Sequence, residues 1–193
     1  MEKRILFLID CQYDFMDGGR LGVDNSKDKM DALAKYIRES KGKYDSILAS
    51  VDWHPSTHCS FKPNGGIWPP HCVQFSTGAA IYQPILDAIN DIGADFHVFI
   101  KGNNEDREEY SVMKNPVSNN AISSLITALD VKNADFVGIA GDYCVKDSMA
   151  DFHRELPNVK VTVLTPFVAS IDGGAALEEF LKKNDEIDSI DTL

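Results

Sequence analysis

The first ten residues contain a segment that few folds can accommodate. Residues 3–10, KRILFLID, contain an unbroken apolar run at 5–9 without polar alternation. Such a run is typical of a strand that is buried on both faces of a parallel sheet. Parallel neighbours need long crossover connections, which are usually helices. Strand-like and helix-like segments alternate along the rest of the chain. The pattern therefore predicts an α/β domain with a mostly parallel sheet.

The same alternation predicts where the elements lie. Strands are expected at 3–10, 45–52, 95–100, 134–140 and 159–164. Helices are expected from a cap at 24–25 to about 40, over 84–92 and 118–130, from 141 to about 155, and from a cap at Asp172 to about 183. The long segments 53–78 and 102–116 have no period, and loops of this length usually carry function. A single domain, 1–193, is expected, with an acidic tail after about residue 184.

Composition limits the partners. The chain has 19 basic and 30 acidic residues, a net charge of −11. This balance opposes binding to nucleic acid or to an anionic membrane, so we expect neither as a partner. The apolar run at 5–9 is too short for a signal peptide or a membrane span, and we expect a cytoplasmic protein with four free thiols. A homo-oligomer is left open.

Chemically reactive residues fall at the predicted strand ends. Asp10, Asp52 and Lys101 end the first three strands, and Cys144 lies four residues beyond the end of the fourth. Ligands bind at the carboxyl ends of the strands in open parallel sheets. Taken singly, each residue has an ordinary structural explanation as a cap, a solvated charge or a small core residue. Their conjunction at one sheet edge favours a catalytic site.

Cys144 is the strongest candidate nucleophile. It lies in the first turn of the helix that Gly141 and Asp142 open, where backbone amides and the helix dipole favour a thiolate. A nearby Lys101 would lower the thiol pKa further, and the same amides could hold an oxyanion. The chain lacks the GxGxxG, GxSxG and GxxxxGK[ST] motifs, which opposes a dinucleotide site, a serine elbow and a P-loop. It also lacks the CxxC that thiol redox chemistry would use.

The long loop at 53–78 suggests a metal. Asp52, His54 and His71 form a set of two histidines and one carboxylate, which leaves coordination positions open for water or substrate. His58 and Ser60 are candidates for further contacts, Ser60 through a water. Simple loop packing is the competing explanation. Zinc is the first expectation, with iron or manganese as alternatives, because availability decides the metal as much as affinity does.

Five motifs in order resemble the isochorismatase-like cysteine hydrolases, and among these the nicotinamidases, also called pyrazinamidases. They are IDCQYDF (9–15), VDWHPSTHCSF (51–61), WPPHCVQ (68–74), KG…EEYSVM (101–113) and GIAGDYCV (138–145). The resemblance covers roughly residues 4–172. It implies a three-layer fold with a six-stranded, mostly parallel sheet. It also implies a metal-dependent amidohydrolase that converts nicotinamide, and pyrazinamide, to the acid and ammonia in NAD salvage.

The resemblance also implies roles for individual residues. The catalytic triad would be Asp10, Lys101 and Cys144, and the oxyanion hole would be the backbone amides of Ala140 and Cys144. A divalent metal on Asp52, His54 and His71 would hold the pyridine nitrogen. The ring pocket would be bordered by Phe15, Trp68 and Tyr143, and the Ile139–Ala140 peptide bond would be cis.

Two departures and two alternatives accompany the resemblance. Relatives usually carry Thr where this chain has Gly141, and often Phe where it has Met113. The first alternative is a related cysteine hydrolase acting on an N-carbamoyl or ureido substrate, which the DWH…H set opposes. The second is a non-catalytic metal- or ligand-binding relative, which the retained Cys144 opposes.

Overall fold

One sheet of six strands organises the computed structural model, which describes residues 2–192. The strands are β1 (Lys3–Ile9), β2 (Ser46–Asp52), β3 (Phe96–Lys101), β4 (Val131–Ile139), β5 (Lys160–Ala169) and β6 (Asp188–Ile190). Their order is β3-β2-β1-β4-β5-β6, and every neighbouring pair is parallel. The helices are α1 (Ser26–Glu39), α2 (Gln83–Ile92), α3 (Pro116–Leu129), α4 (Lys146–Glu155) and α5 (Ala175–Lys183). The predicted α/β class and parallel sheet are confirmed.

Strand β1 is apolar throughout because both faces of the sheet are covered. Leu6 and Leu8 lie in the core that also contains the apolar faces of α1 and α2. Ile5 and Phe7 point the other way, into the core with α3, α4 and α5. Residues 5–9 have no exposed surface. Successive side chains of a strand face opposite sides, so a central strand in a three-layer fold needs an apolar residue at every position.

Some element boundaries differ from the sequence prediction. Helix α1 is not capped by the side chain of Asp24 or Asn25; Asp17 accepts hydrogen bonds from the amides of Asn25 and Lys27, both at 3.0 Å. Helix α3 begins two residues early, at Pro116, because Asn115 caps it. Asp17 precedes Asn25 by eight residues and Lys27 by ten, so the cap of α1 leaves no local sequence signature.

The acidic tail contains an element that the sequence pattern missed. Residues Asp188–Ile190 form β6, which pairs with β5 at the edge of the sheet. All three residues of β6 are exposed, so the apolar signal of a buried strand is absent. Among residues 2–192, no helix is both long enough and apolar enough to cross a membrane.

The topology decides where ligands can bind. Strand β1 lies at the centre, with β2 on one side and β4 on the other. The chain therefore leaves the carboxyl ends of β1 and β4 in opposite directions, and a crevice opens between the two connections. Asp10 follows β1 directly, and Cys144 lies in a single π-helical turn, Gly141–Val145, between β4 and α4. The fold thus brings residues from distant parts of the sequence to one crevice.

Phe7 tests the packing of the central strand. Its ring is fully buried and lies 5.2 Å from the ring of Phe136 and 6.2 Å from that of Phe152. We expect Phe7→Ala to lower the free energy of unfolding by about 3–5 kcal/mol, since the cavity cannot collapse fully. Urea denaturation measures the change. Val98→Ala, at a half-exposed position of edge strand β3, is the control and should lose less than about 1 kcal/mol. Equal losses would contradict the packing described here.

Candidate active site

Three residues from three strand ends meet beneath the crevice. Lys101 Nζ lies 2.8 Å from Asp10 Oδ2 and 3.4 Å from Cys144 Sγ. A carboxylate oxygen of Asp10 and the sulfur of Cys144 are within 4.8 Å of one another. Asp10 and Lys101 are fully buried, and Cys144 is 7% exposed. An acid, an ammonium group and a thiol therefore share one desolvated volume, as the strand-end argument anticipated.

The ammonium group of Lys101 is charged despite its burial. Burial lowers the pKa of Lys101, but the carboxylates of Asp10 and Asp52 raise it by more, and the net direction is upward. Its contact with Asp52 Oδ1 is 2.5 Å long. A buried cation with two adjacent carboxylates is electrostatically compensated, whereas either carboxylate alone in this volume would be costly.

Asp10 is arranged to exchange a proton. Its Oδ1 accepts a hydrogen bond from Ser50 Oγ at 2.7 Å. Its Oδ2 faces the ammonium group of Lys101 at 2.8 Å. Burial raises the pKa of Asp10, with Lys101 opposing, and the net direction is upward. A carboxyl group whose pKa lies above its usual value is better suited to accept and return a proton near neutral pH.

The thiol of Cys144 differs from the expectation of a resting thiolate. Burial raises the pKa of Cys144; Lys101 lowers it, Asp10 and Asp52 raise it again, and the net direction is well upward. The helix terminus is also less simple than expected, because it is a π turn in which the Val145 amide bonds the Ala140 carbonyl at 3.0 Å. A thiol whose pKa is raised needs a base to take its proton before it attacks, and Asp10 is the adjacent candidate.

A second cluster lies beside the first. The ligand atoms of Asp52, His54 and His71 are all within 4.8 Å of one another. Asp52 Oδ2 is 3.5 Å from His54 Nε2 and 3.8 Å from His71 Nε2. Each imidazole donates its Nδ1 hydrogen to a backbone carbonyl, His54 to Gly102 at 2.9 Å and His71 to Pro69 at 2.8 Å. A carbonyl only accepts, so Nδ1 carries a hydrogen in both rings, and in the neutral ring Nε2 presents its lone pair toward Asp52.

The pKa directions of Asp52 and His71 suit a cation, whereas that of His54 is upward because of the neighbouring carboxylate. Burial raises the pKa of Asp52, but Lys101 and His54 lower it by more, and the net direction is strongly downward. Burial lowers the pKa of His71, which favours the neutral imidazole that metals bind. Burial also lowers the pKa of His54, but Asp52 raises it by more. An ionised carboxylate and two fixed imidazole nitrogens form a donor set that fits a divalent metal such as zinc.

His58 lies next to this cluster and not in it. Its Nδ1 is 2.7 Å from Ser60 Oγ, and its Nε2 is 3.1 Å from the carbonyl oxygen of Arg107. Its ring packs on that of His54 with centroids 4.1 Å apart. Because both nitrogens are engaged, His58 buttresses His54 and does not offer a free nitrogen to a metal. Ser60 is correspondingly engaged with His58.

A narrow cavity of about 30 Å³ lies above the thiol. It is lined by Phe15, Leu21, Val23, Asp52, Trp68, His71, Glu108, Ala140, Tyr143, Cys144 and Ile171. The three aromatic residues named from the sequence are among these. Trp68 Nε1 donates to the hydroxyl of Tyr110 at 3.1 Å, and both rings lie 5.3 Å from the ring of Tyr143. The aliphatic walls were missed, because isolated Leu, Val and Ile residues in loops carry no functional signature.

Sequence reasoning also missed Gln12, although it lies inside a quoted motif. Its side-chain amide donates to the carbonyl of Asp52 and accepts from the amide of Asp52, both at 2.8 Å. This pair of bonds fixes the backbone of Asp52, whose carboxylate faces both clusters. The alternation of polar and apolar residues within IDCQYDF, of which Gln12 is part, was the available signal.

Gly141 and Met113, the two departures from the family pattern, both lie in tightly packed surroundings. A Cβ atom on Gly141 would lie 2.3 Å from Ser170 Oγ and 2.8 Å from Val168 Cγ1, so a larger residue fits only if its neighbours move. Met113 is 2% exposed and packs in the core shared with α3 and α4. The Ile139–Ala140 bond is cis, as the resemblance implied.

Comparison of the chain with other proteins decides the family. No protein-family model matches it. A nicotinamidase of Escherichia coli is 31% identical over 168 residues, 78% of this chain and 76% of that protein. A nicotinamidase/pyrazinamidase of Mycobacterium tuberculosis is 34% identical over 181 residues, 91% of this chain and 93% of that protein. The chain belongs to the nicotinamidase/pyrazinamidase family.

A solved structure extends the similarity to the fold. The pyrazinamidase of Pyrococcus horikoshii in complex with zinc superposes with a TM-score of 0.81 at 30% sequence identity. The match covers 98% of this chain and 99% of that one. This nicotinamidase-family chain therefore shares its fold with a relative whose structure contains zinc.

The buried ion pairs predict how stability depends on pH. We expect Lys101→Met to lower the free energy of unfolding by about 3–5 kcal/mol near neutral pH, because two buried carboxylates lose their partner. The pKa of Asp10 is already above its unfolded value and rises further without Lys101. A raised pKa of this kind stabilises the fold at low pH, and that contribution is lost as the pH rises through the folded value.

The deficit of Lys101→Met should therefore shrink as the pH is lowered from about 8 to about 5. Urea denaturation of the wild type and the variant at both pH values measures it. Lys132→Met, at an exposed ion pair, is the control and should lose less than about 1 kcal/mol at either pH. A deficit that grows toward low pH would contradict the electrostatic account.

Proposed function

We propose that this chain is a metal-dependent nicotinamidase that hydrolyses nicotinamide, and pyrazinamide, to the carboxylic acid and ammonia through a thioester on Cys144. The observation that carries the proposal is the adjacency of two clusters, Asp10–Lys101–Cys144 and Asp52–His54–His71, across one small cavity. Membership of the nicotinamidase/pyrazinamidase family supports it. The substrate is then a small amide, and the reaction belongs to NAD salvage.

The first half of the reaction forms the thioester. Asp10 accepts the proton of the Cys144 thiol, and the sulfur attacks the amide carbon. Lys101, 3.4 Å from the sulfur, favours the negative charge that develops there. The backbone amides of Ala140 and Cys144 hold the carbonyl oxygen as it becomes negative. Asp10 then returns the proton to the departing nitrogen, and ammonia leaves as the C–N bond breaks.

The second half releases the acid. Asp10 accepts a proton from a water molecule, which attacks the thioester carbon. The C–S bond breaks, and the proton passes from Asp10 back to Cys144. Asp10 thus alternates between base and acid twice in one cycle, which suits a carboxyl group whose pKa burial has raised. Lys101 keeps its proton throughout, since its two carboxylate neighbours hold its pKa high.

The neighbouring cluster positions the substrate ring. Asp52, His54 and His71 would hold a divalent cation, zinc first, and this cation would supply a Lewis-acid contact to the ring nitrogen. Phe15, Trp68 and Tyr143 enclose the ring as apolar walls.

The other two candidate functions have less support. An N-carbamoyl or ureido substrate has no ring nitrogen for the Asp52–His54–His71 cluster to bind. A non-catalytic binding role would not need the Asp10–Lys101–Cys144 arrangement. Several expectations stay predictions. They are a single domain, a cytoplasmic location, the choice among zinc, iron and manganese, a homo-oligomeric state and the absence of nucleic-acid or membrane partners.

Cys144 is the residue on which turnover depends. We expect Cys144→Ala to abolish ammonia release from nicotinamide while the fold is retained, because no other thiol lines the cavity among residues 2–192. Cys144→Ser should also be nearly inactive, since an alkoxide is much harder to form than a thiolate. Ammonia release and circular dichroism measure the two properties. Cys59→Ala, at the half-buried cysteine, is the matched control and should keep most of the activity. Activity in Cys144→Ala would refute the nucleophile.

Discrimination by the ring nitrogen tests the metal cluster. Benzamide has the shape of nicotinamide without the ring nitrogen. A buried site built around one polar contact rejects a ligand that lacks it, so benzamide should show a much lower kcat/KM in zinc-loaded enzyme. Removal of the metal by a chelator, or His54→Ala, should lower the nicotinamide value toward that of benzamide. His97→Ala, on the edge strand outside the cluster, is the control. Equal kcat/KM for both amides in zinc-loaded enzyme would show that the cluster does not recognise the ring nitrogen.

A further inference from the structure

The segment 102–115, here called the charged loop, contacts the loop 53–78 that carries His54 and His71. Its backbone carbonyls accept hydrogen bonds from that loop. The Gly102 carbonyl accepts from His54 Nδ1 at 2.9 Å, and the Arg107 carbonyl accepts from His58 Nε2 at 3.1 Å. The Glu105 carbonyl accepts from the amide of Cys59 at 2.7 Å. The orientation of His54, one of the three candidate ligands, therefore depends on where the charged loop places its first carbonyl.

Gly102 can take that position only because it has no side chain. Its φ is +65°, and a Cβ atom there would lie 2.3 Å from His54 Cε1. The backbone is thus in direct contact with the imidazole ring. Any movement of Gly102 changes the hydrogen bond that fixes which nitrogen of His54 carries the proton and where Nε2 points.

A buried carboxylate anchors Gly102. Glu109 is fully buried, and its Oε2 accepts from the Gly102 amide at 2.8 Å and from Asn115 Nδ2 at 3.0 Å. Its Oε1 accepts from Arg107 Nε at 2.9 Å and also contacts Arg107 Nη2. Every partner is a donor, so the position requires acceptor oxygens. Because Asn115 caps α3, Glu109 ties the start of the charged loop to its end.

Glu109 has no place in the chemistry described above. It does not line the cavity, and its oxygens contact neither the Asp10–Lys101–Cys144 cluster nor the three candidate metal ligands. The bond to Gly102 is the connection that leads from Glu109 to the site.

We propose that Glu109 is a positioning residue of the metal site, which fixes the Gly102 carbonyl and through it the metal-binding nitrogen of His54. The proposal rests on the proposed function in so far as Asp52, His54 and His71 bind a metal. Removing a group that orients a ligand typically weakens metal binding about 10- to 100-fold. Loss of the Gly102 anchor should act in this range while leaving the three ligands themselves in place.

The experiment measures zinc affinity directly, by competition between the purified protein and a chromogenic chelator. Glu109→Met, which keeps the length of the side chain and removes both acceptors, should bind zinc about 10- to 100-fold more weakly than wild type. Glu109→Gln should stay within a few-fold of wild type. Its oxygen can still accept from Gly102 and Asn115, while Arg107, whose side chain is 49% exposed, turns to solvent. Cobalt-substituted Glu109→Met should show an altered visible absorption spectrum, and Glu109→Gln a nearly normal one.

The matched control is another buried carboxylate outside the site. Asp135 in β4 is 1% exposed and accepts from Arg4 Nη1 at 2.6 Å and from the Tyr44 hydroxyl at 2.8 Å. Asp135→Asn should lower the stability of the fold without changing zinc affinity or the cobalt spectrum. A variant that affected the site only through general destabilisation would behave like this control.

The outcomes separate this inference from the proposed function. In one outcome the wild type binds zinc and hydrolyses nicotinamide, and Glu109→Met binds zinc equally well. This result would overturn only the role of Glu109. Failure of both Glu109→Met and Glu109→Ala to fold would assign Glu109 to loop stability and would also overturn it. Wild-type protein that binds no zinc would refute the metal dependence of the proposed function itself. Weak zinc binding in Glu109→Met with recovery in Glu109→Gln supports the proposal.

Discussion

The site depends on one buried cation. Lys101 has no exposed surface, and its ammonium group contacts Asp10, Asp52 and Cys144. These groups persist in a desolvated volume because the ammonium group offsets the charge of a carboxylate and their polar atoms are largely paired. Lys101 thereby holds together the carboxyl ends of β1, β2 and β3, and it lets two carboxylates exist in the core with opposite pKa directions.

Asp52 joins the two halves of the site. One carboxylate oxygen contacts Lys101, and the other faces the Nε2 atoms of His54 and His71. The same charge therefore serves the catalytic cluster and the metal cluster, which fixes their separation without further structure between them. Gln12 hydrogen-bonds both the amide and the carbonyl of Asp52, which fixes the backbone that carries this shared carboxylate. A fixed position of this carboxylate suits the near-attack geometry that the proposed reaction needs.

Much of the fold follows from local pattern, and its exceptions have a common cause. The apolar run of β1 requires two covering layers, and the alternation of elements requires parallel strands. The cap of α1 by Asp17 and the pairing of β6 were missed because they depend on contacts with residues distant in the sequence. The cavity walls Leu21, Val23 and Ile171 were missed for the same reason, since an aliphatic residue in a loop gains a role only from what faces it.

The sequence by itself determined the fold class and, through its five ordered motifs, which acid, amine, thiol and imidazole residues could share a site. It could not determine their protonation states, because desolvation depends on burial: the thiol of Cys144 has its pKa raised where the local helix argument predicted a thiolate. Nor could it show that His58 buttresses His54 or that Glu109 anchors Gly102. Only the tertiary structure decided these, since each results from the packing of two long loops against each other at the end of a sheet.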